Sequence, residues 1–161
     1  MNIDITRNMD KKKKAARYSR IYDQLTSLLK KSSNPLARKA TVIAVLHHKM
    51  EYFFWTGFYM LVDDELTVEM YQGPVACQVL AKDRGVCRAA INQQKTLVVE
   101  NVEEFPGHIA CDSRSKSEIV IPLRNSFGEI TGVLDVDSKD LASFDEVDAE
   151  WLEKICKLLI G

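Results

Sequence analysis

From Tyr18 the chain takes up a helical rhythm. Tyr18, Ile21, Tyr22, Leu25, Leu28 and Leu29 recur at three- and four-residue intervals and form one apolar stripe. Ser32-Ser33-Asn34-Pro35 closes that helix and opens another, with Asn34 as N-cap and Pro35 at the first helical position, where no N–H is needed. The second helix is predicted to reach about Met50, with Leu36, Ala40, Ile43, Ala44 and His47 on one side. Beyond it the period falls to two. Residues 53–62 read as a strand, Asp63-Asp64-Glu65 as a turn and residues 66–72 as the hairpin partner. Gly73-Pro74 breaks the pairing, residues 76–81 read as a short third strand, and a small helix after Gly85 carries Cys87, Ala90 and Ile91. Residues 96–100 make a further strand, a loop covers 101–116, and strands 117–123 and 129–137 form a second hairpin across 125–128. Ser143-Phe144-Asp145-Glu146 reads as a capping box between Ser143 and Glu146, opening a last helix through Val147, Trp151, Leu152, Ile155, Leu158 and Leu159.

Two helices, about six strands interrupted by a small helix, and a closing helix give an α+β domain. Tight hairpins make the sheet antiparallel. The N- and C-terminal helices are expected on one face, leaving a loop-lined pocket on the other. Residues 1–16 are polar and without a period, and read as a flexible basic arm ahead of one domain over 17–161. With 161 residues, 46% of them hydrophobic and 28% charged, the chain is long enough for one buried core. A formal charge of -1 calls for neither nucleic acid nor an anionic membrane, and Lys11-Lys12-Lys13-Lys14 reads as a solvated tail. No apolar stretch approaches the ~20 residues of a membrane span, and residues 1–20 lack the apolar core of a secretory signal. The expected compartment is the cytoplasm, where closely spaced cysteines more often serve catalysis or metal binding than stable crosslinking.

Three of the four cysteines, Cys77, Cys87 and Cys111, fall within 35 residues of loop-rich sequence. Side chains alternate across a strand, so Trp55, Gly57 and Tyr59 share one face, with the glycine leaving a gap between two aromatic walls. Asp135 and Asp137 likewise point one way, and Leu134 and Val136 the other. Glu118 sits early in the neighbouring strand, and Cys111 enters from the loop before it. An aromatic floor with several carboxylates suits a small ligand with an apolar or cationic part, such as the ammonium of an amino acid. Crowded carboxylates repel, so at least one should keep its proton near neutral pH and donate to a ligand oxygen. Beside a thiolate, that arrangement serves sulfoxide reduction, with a sulfenic acid formed on one cysteine and displaced by a second. Zinc is the rival use of Cys77, Cys87, Cys111 and His108, but the C-x9-C and C-x23-C gaps lack the close pairs of structural zinc sites. His108 can position the Cys111 loop or lower the thiol's pKa, and Cys156, in the last helix, reads as a small buried hydrophobe.

Phe54-Trp55-Thr56-Gly57-Phe58-Tyr59, Gly85-Val86-Cys87, Phe105-Pro106-Gly107-His108-Ile109-Ala110-Cys111, Ser117-Glu118-Ile119-Val120-Ile121-Pro122-Leu123 and Gly132-Val133-Leu134-Asp135-Val136-Asp137-Ser138 stand in order along the chain. Together they resemble the free methionine-(R)-sulfoxide reductases, which are single-domain GAF proteins, over roughly residues 18–160. The resemblance implies a GAF-like domain with Cys111 as nucleophile, Cys77 as resolving thiol and Cys87 as an auxiliary or alternative one. It implies that Trp55 and Tyr59 hold the methyl-sulfinyl end of free methionine sulfoxide, and that Glu118, Asp135 and Asp137 hold its polar groups. Of the three acids Glu118 lies nearest to Cys111 in the sequence and is the expected proton donor. It further implies no bound cofactor or metal, and recycling by thioredoxin with NADPH and thioredoxin reductase. A homodimer is left open. The chain departs from the family pattern at Arg88, where glycine is common, and at Met70-Tyr71-Gln72-Gly73-Pro74-Val75. The alternative function is a non-catalytic GAF sensor that binds a small ligand and signals through dimerisation. Such a sensor has no need of three cysteines beside an acidic pocket, and commonly carries an output domain, which the sequence to Gly161 lacks.

Overall fold

The computed structural model of the protein describes residues 2–109 and 111–160, with side chains from Asp10 onward. Helix α1 (Asn2–Leu28) runs through a 3-10 turn (Leu29–Lys31) toward α2 (Pro35–Lys49). Strands β1 (Trp55–Val62), β2 (Glu65–Gln72) and β3 (Val79–Leu80) precede α3 (Val86–Gln93). Strand β4 (Leu97–Val99), a second 3-10 turn (Val102–Glu104), β5 (Ser117–Arg124), β6 (Ile130–Ser138) and α4 (Glu146–Lys157) complete the chain. The six strands form one antiparallel sheet in the order β3-β2-β1-β6-β5-β4. No helix of the described residues is long and apolar enough to cross a membrane.

Period-two alternation sorts the strands between two layers. Phe58, Ile119, Ile121, Leu134 and Val136 face α1, α2 and α4, where Tyr18, Ile21, Leu25, Ile43, Leu46, Leu152 and Ile155 close over them. The opposite face carries Trp55, Tyr59, Val120 and Val133 beneath α3 and the loops, with Val86, Cys87 and Ala90 packed against them. Each fully buried aliphatic chain contributes about 1.5–3 kcal/mol, so a one-residue slip of β6 would lose several such terms and bury two acids among the helices.

Asn34 caps α2 as expected, accepting from the Leu36 and Ala37 amides at 2.9 and 3.1 Å, with Pro35 at the first position. The buried face of α2 is Val42, Ile43 and Leu46, whereas Leu36, Ala40 and Ala44 are exposed, so of the expected stripe only Ile43 is in the core. Asp63 and Asp64 both have positive φ, 51° and 63°, the backbone a two-residue hairpin needs.

Two expectations are corrected. The segment 1–16, read as an arm, is helical from Asn2. Its lysines meet the acidic start of α4: Lys14 Nζ lies 2.7 Å from Asp148 Oδ2 and 3.3 Å from Asp145 Oδ2, and Lys11 pairs with Glu146. The acids suit the positive N-terminal end of α4, and the lysines are held there by pairing with those acids against the helix dipole. The capping box of α4 is Asp145 with Asp148, not Ser143 with Glu146. Asp148 is fully buried, accepts from the Tyr18 hydroxyl at 2.6 Å and from Tyr52, and draws the helix start two residues later. Ser143 Oγ instead bonds Ser138 Oγ at 2.8 Å.

Candidate active site

The three central strands carry the polar face. In the β1–β6–β5 register Trp55 lies opposite Asp137 and Asp137 opposite Glu118, and Gly57 lies opposite Asp135 and Asp135 opposite Val120. One row of the sheet therefore reads Trp55, Asp137, Glu118, with Asp135 one step along on the same face. Glu118 and Asp135 are 6% exposed, and Asp137 is half-buried. Gly85 is the N-cap of α3, and its φ of 92° would strain any other residue, whose Cβ would also press on Ile109 Cδ1 at 2.9 Å. That start lowers Cys87 onto the acids. Cys87 Sγ and carboxylate oxygens of Glu118 and Asp135 lie within 4.8 Å of one another.

Trp55 does not stand beside a gap. Its indole lies over Gly57, where an added Cβ would come within 2.4 Å of the ring, and is stacked between Tyr59 (centroids 5.7 Å apart, 24°) and Tyr71 (5.2 Å, 20°). The gap foreseen between two aromatic walls is filled by one of them. Tyr71 is missing from the candidate residues because its role is a matter of pairing: it sits opposite Gly57 across β1 and β2. Phe54, at the rim, is the second such residue, with the Arg114 guanidinium 5.0 Å and the Lys139 ammonium 4.9 Å from its ring centre.

Cys77 and Cys111 meet over this cleft in a disulfide, with Cα atoms 5.6 Å apart. Cys111 is exposed and Cys77 half-buried, whereas Cys87 is buried and free. The cleft is lined by Trp55, Tyr59, Cys87, Cys111, Glu118, Asp135 and Asp137 together, along with Arg84, His108 and Ser115. Cys156 is buried on the helical side of the sheet, away from the other three. Arg88 turns away from the cleft: its guanidinium donates to the Asp64 carbonyl at 2.7 Å and lies 3.3 Å from Asp64 Oδ1, tying α3 to the β1–β2 turn.

Burial sets the protonation of the cleft. It pushes the Glu118 and Asp137 carboxyls well up, and Asp135 adds like-charge repulsion to both. Asp135 is pushed up to about 6 by burial, with hydrogen bonds from Glu118 and Cys87 opposing the rise. Burial and then the Asp135 and Glu118 charges raise the Cys87 thiol, keeping it neutral and a poor nucleophile. Burial lowers the His108 pKa, favouring the neutral imidazole, with the Glu103 charge opposing the shift. Asp135 Oδ1 is buried with no hydrogen-bond partner among the described residues. An oxygen so placed is an acceptor awaiting a donor, and an ammonium group is the donor that an ionised Asp135 beside two further carboxyl groups favours. A divalent cation at Cys87, Glu118 and Asp135 would first have to displace their protons.

The raised carboxyls have a measurable consequence. Asp135 protonates near 6 in the fold and near 3.9 in the unfolded chain, so its favourable contribution is complete below about pH 4 and is lost as pH rises through about 6. The difference is worth about 3 kcal/mol, or about 6–12 °C in Tm for a chain of this size. Asp135→Asn cannot ionise, so its effect on Tm, relative to wild type, should be more favourable at pH 8 than at pH 4 by about that amount. Thermal unfolding at the two pH values measures it, and an equal effect at both would refute the buried charge.

A GAF domain model matches residues 36–159. The chain is 49% identical over 152 residues to GAF domain-containing protein A of Dictyostelium discoideum, a match covering 94% of this chain and 95% of that one. It is 36% identical over 138 residues to the free methionine-R-sulfoxide reductase of Escherichia coli K12, covering 86% of this chain and 83% of the relative. The X-ray structure of free methionine-R-sulfoxide reductase from Neisseria meningitidis in complex with its substrate superposes with a TM-score of 0.87 at 43% identity, covering 91% of this chain and 87% of that one.

Proposed function

The chain belongs to the GAF-domain free methionine-R-sulfoxide reductases, and we propose that it reduces free L-methionine-(R)-sulfoxide to L-methionine with its own cysteines. The observation that carries this reading is the placement of the Cys77–Cys111 pair at the cleft lined by Trp55, Tyr59, Glu118, Asp135 and Asp137. The aromatic rings hold the methyl-sulfinyl end, and Asp135 and Asp137 accept from the ammonium group. The Cys111 thiolate attacks the sulfoxide sulfur while Glu118 gives its proton to the oxygen. The protonated oxygen then passes as hydroxyl from the substrate sulfur to Cys111 Sγ, forming a sulfur–oxygen bond there as the substrate's own breaks. The transient sulfur–sulfur bond breaks with its electron pair going to the substrate sulfur, so methionine leaves and Cys111 is left as a sulfenic acid. Cys77 then closes the disulfide with release of water. Cys87, buried and held neutral, is the poorer candidate for that step. An external dithiol, thioredoxin with its reductase and NADPH, restores both thiols.

NADPH oxidation coupled through thioredoxin tests the proposal with each diastereomer of free methionine sulfoxide and with a peptide-bound control. Turnover is expected on the free R form alone. In a peptide the ammonium charge is lost and a buried carboxylate stays unpaired, so catalytic efficiency should fall by about a hundredfold or more. Comparable efficiency on peptide would mean that Asp135 and Asp137 do not read the amino group. Binding of free methionine sulfoxide without any turnover would favour a sensor.

A further inference from the structure

The chain leaves β2 after Gln72 and rejoins the sheet at Gln78, whose carbonyl accepts from the Val68 amide at 2.9 Å. Among the described residues, 74–77 make no main-chain hydrogen bond to other main chain. Two side chains hold this stretch instead, and both belong to the aromatic wall of the cleft. Trp55 Nε1 donates to the Pro74 carbonyl at 3.1 Å, and the Tyr59 hydroxyl donates to the Cys77 carbonyl at 2.9 Å. Val75, between them, is 84% exposed and adds almost no burial to keep the loop down. The third tie is the disulfide itself. Once that bond is reduced, the two hydrogen bonds from the wall are the polar ties that remain, beside the packing of half-buried Ala76 and Cys77 against the cluster around Trp55 and Tyr59.

We propose that Tyr59 is a positioning residue for the resolving thiol: its hydroxyl, through the Cys77 carbonyl, keeps the Cys77 sulfur over Cys111 so that disulfide closure keeps pace with methionine release. This rests on reading Cys111 as nucleophile and Cys77 as resolving thiol. In the closing step the Cys77 thiolate attacks the sulfur of the Cys111 sulfenic acid. A sulfur–sulfur bond forms, the sulfur–oxygen bond breaks, and hydroxide leaves and takes up a proton to become water. Over the cycle the two thiols give up the two electrons that the sulfoxide gains. Cys77 has no part in the first attack, whereas closure needs two sulfurs brought to bonding distance and in line. A displacement of about 1 Å in such a step costs about a hundredfold. The ring of Tyr59 serves the substrate and its hydroxyl serves the loop. Burial and the neighbouring Asp135 charge keep that phenol protonated, so it stays a donor.

Tyr59→Phe removes the hydroxyl and keeps the ring, and Trp55→Phe removes the companion donor to Pro74. Reduced protein is mixed with one equivalent of free methionine-(R)-sulfoxide without dithiol. Methionine release, disulfide closure and dimedone-trapped sulfenic acid are followed by rapid quench and mass spectrometry. In Tyr59→Phe the ratio of closure rate to release rate should fall about tenfold or more, with trapped sulfenic acid at Cys111 rising to match. Trp55→Phe, read after peroxide so that its part in holding the substrate does not enter, should slow closure the same way by less. A purely structural defect would slow both steps together and leave the ratio unchanged, which overturns the proposal. Hydrogen peroxide, which makes the Cys111 sulfenic acid without any sulfoxide, separates the two readings. If wild type closes its disulfide after peroxide but releases no methionine from the sulfoxide, the proposed reaction fails while the Tyr59 effect on closure is still read. If Tyr59→Phe closes as fast as wild type after peroxide, the positioning role is wrong whatever the substrate.

Discussion

Cys111→Ser should abolish reduction of free methionine-(R)-sulfoxide, lowering turnover by about 10⁴-fold or more, the scale seen when a nucleophile is removed outright. A serine hydroxyl is hardly ionised near neutral pH and is a poor nucleophile toward sulfur. The remaining cysteines do not replace it. Cys87 is buried and pushed up by its acidic neighbours, and Cys156 lies on the other face of the sheet. The variant must be compared with wild type under reducing conditions. The Cys77–Cys111 crosslink closes a 34-residue separation, and a loop of that length is worth about 4 kcal/mol in chain entropy. Oxidised wild type would therefore outlast the variant in a thermal melt for reasons unrelated to the site. With dithiothreitol present, equal melting temperatures together with lost activity are expected. Near wild-type turnover from folded Cys111→Ser would end the assignment.

Glu118→Gln should slow the chemical step by about a hundred- to ten-thousandfold, the usual cost of losing a general acid. Its burial and the charges of Asp135 and Asp137 raise its carboxyl well above the ordinary range, so near neutral pH it keeps the proton the sulfoxide oxygen needs. Activity that depends on this acid is present below its raised pKa and is lost as pH rises through it. The side-chain amide of the variant can still hydrogen-bond the oxygen, so affinity should change far less than rate. Single-turnover kinetics separates the two. A variant with an unchanged chemical step and weaker binding would make Glu118 a binding residue, and the proton would then have to come from Asp135, Asp137 or water. The pH profile adds a second reading, because the alkaline limb assigned to Glu118 should vanish in the variant.

What the sequence determines by itself is what repeats over two to four residues. Alternation in strand β6 places Asp135 and Asp137 on the face opposite Leu134 and Val136, because successive strand side chains point to opposite sides wherever the strand lies. The Asn34-Pro35 start of α2 and the Asp63-Asp64 turn are local in the same sense, each set by the bonds or dihedrals of one or two residues. Ordered motifs naming Cys87, Cys111, Trp55, Tyr59 and Glu118 add the candidate chemistry; all five line the described cleft, and Cys77 joins it through its disulfide to Cys111. The tertiary structure alone decides which distant pieces meet. Strand order puts β6 between β1 and β5, and so sets Trp55, Asp137 and Glu118 in one row. The β1–β2 register brings Tyr71 onto Trp55 and fills the space above Gly57. The buried Asp148, not a four-residue pattern, selects the cap of α4, and the acidic end it creates gathers Lys11 and Lys14 on a helix where the polar sequence reads as an arm. The tie from the Tyr59 hydroxyl to Cys77 joins residues 18 apart. Such contacts form because burial and pairing across the whole sheet outweigh local preference, and they leave no period along the chain by which they could be read.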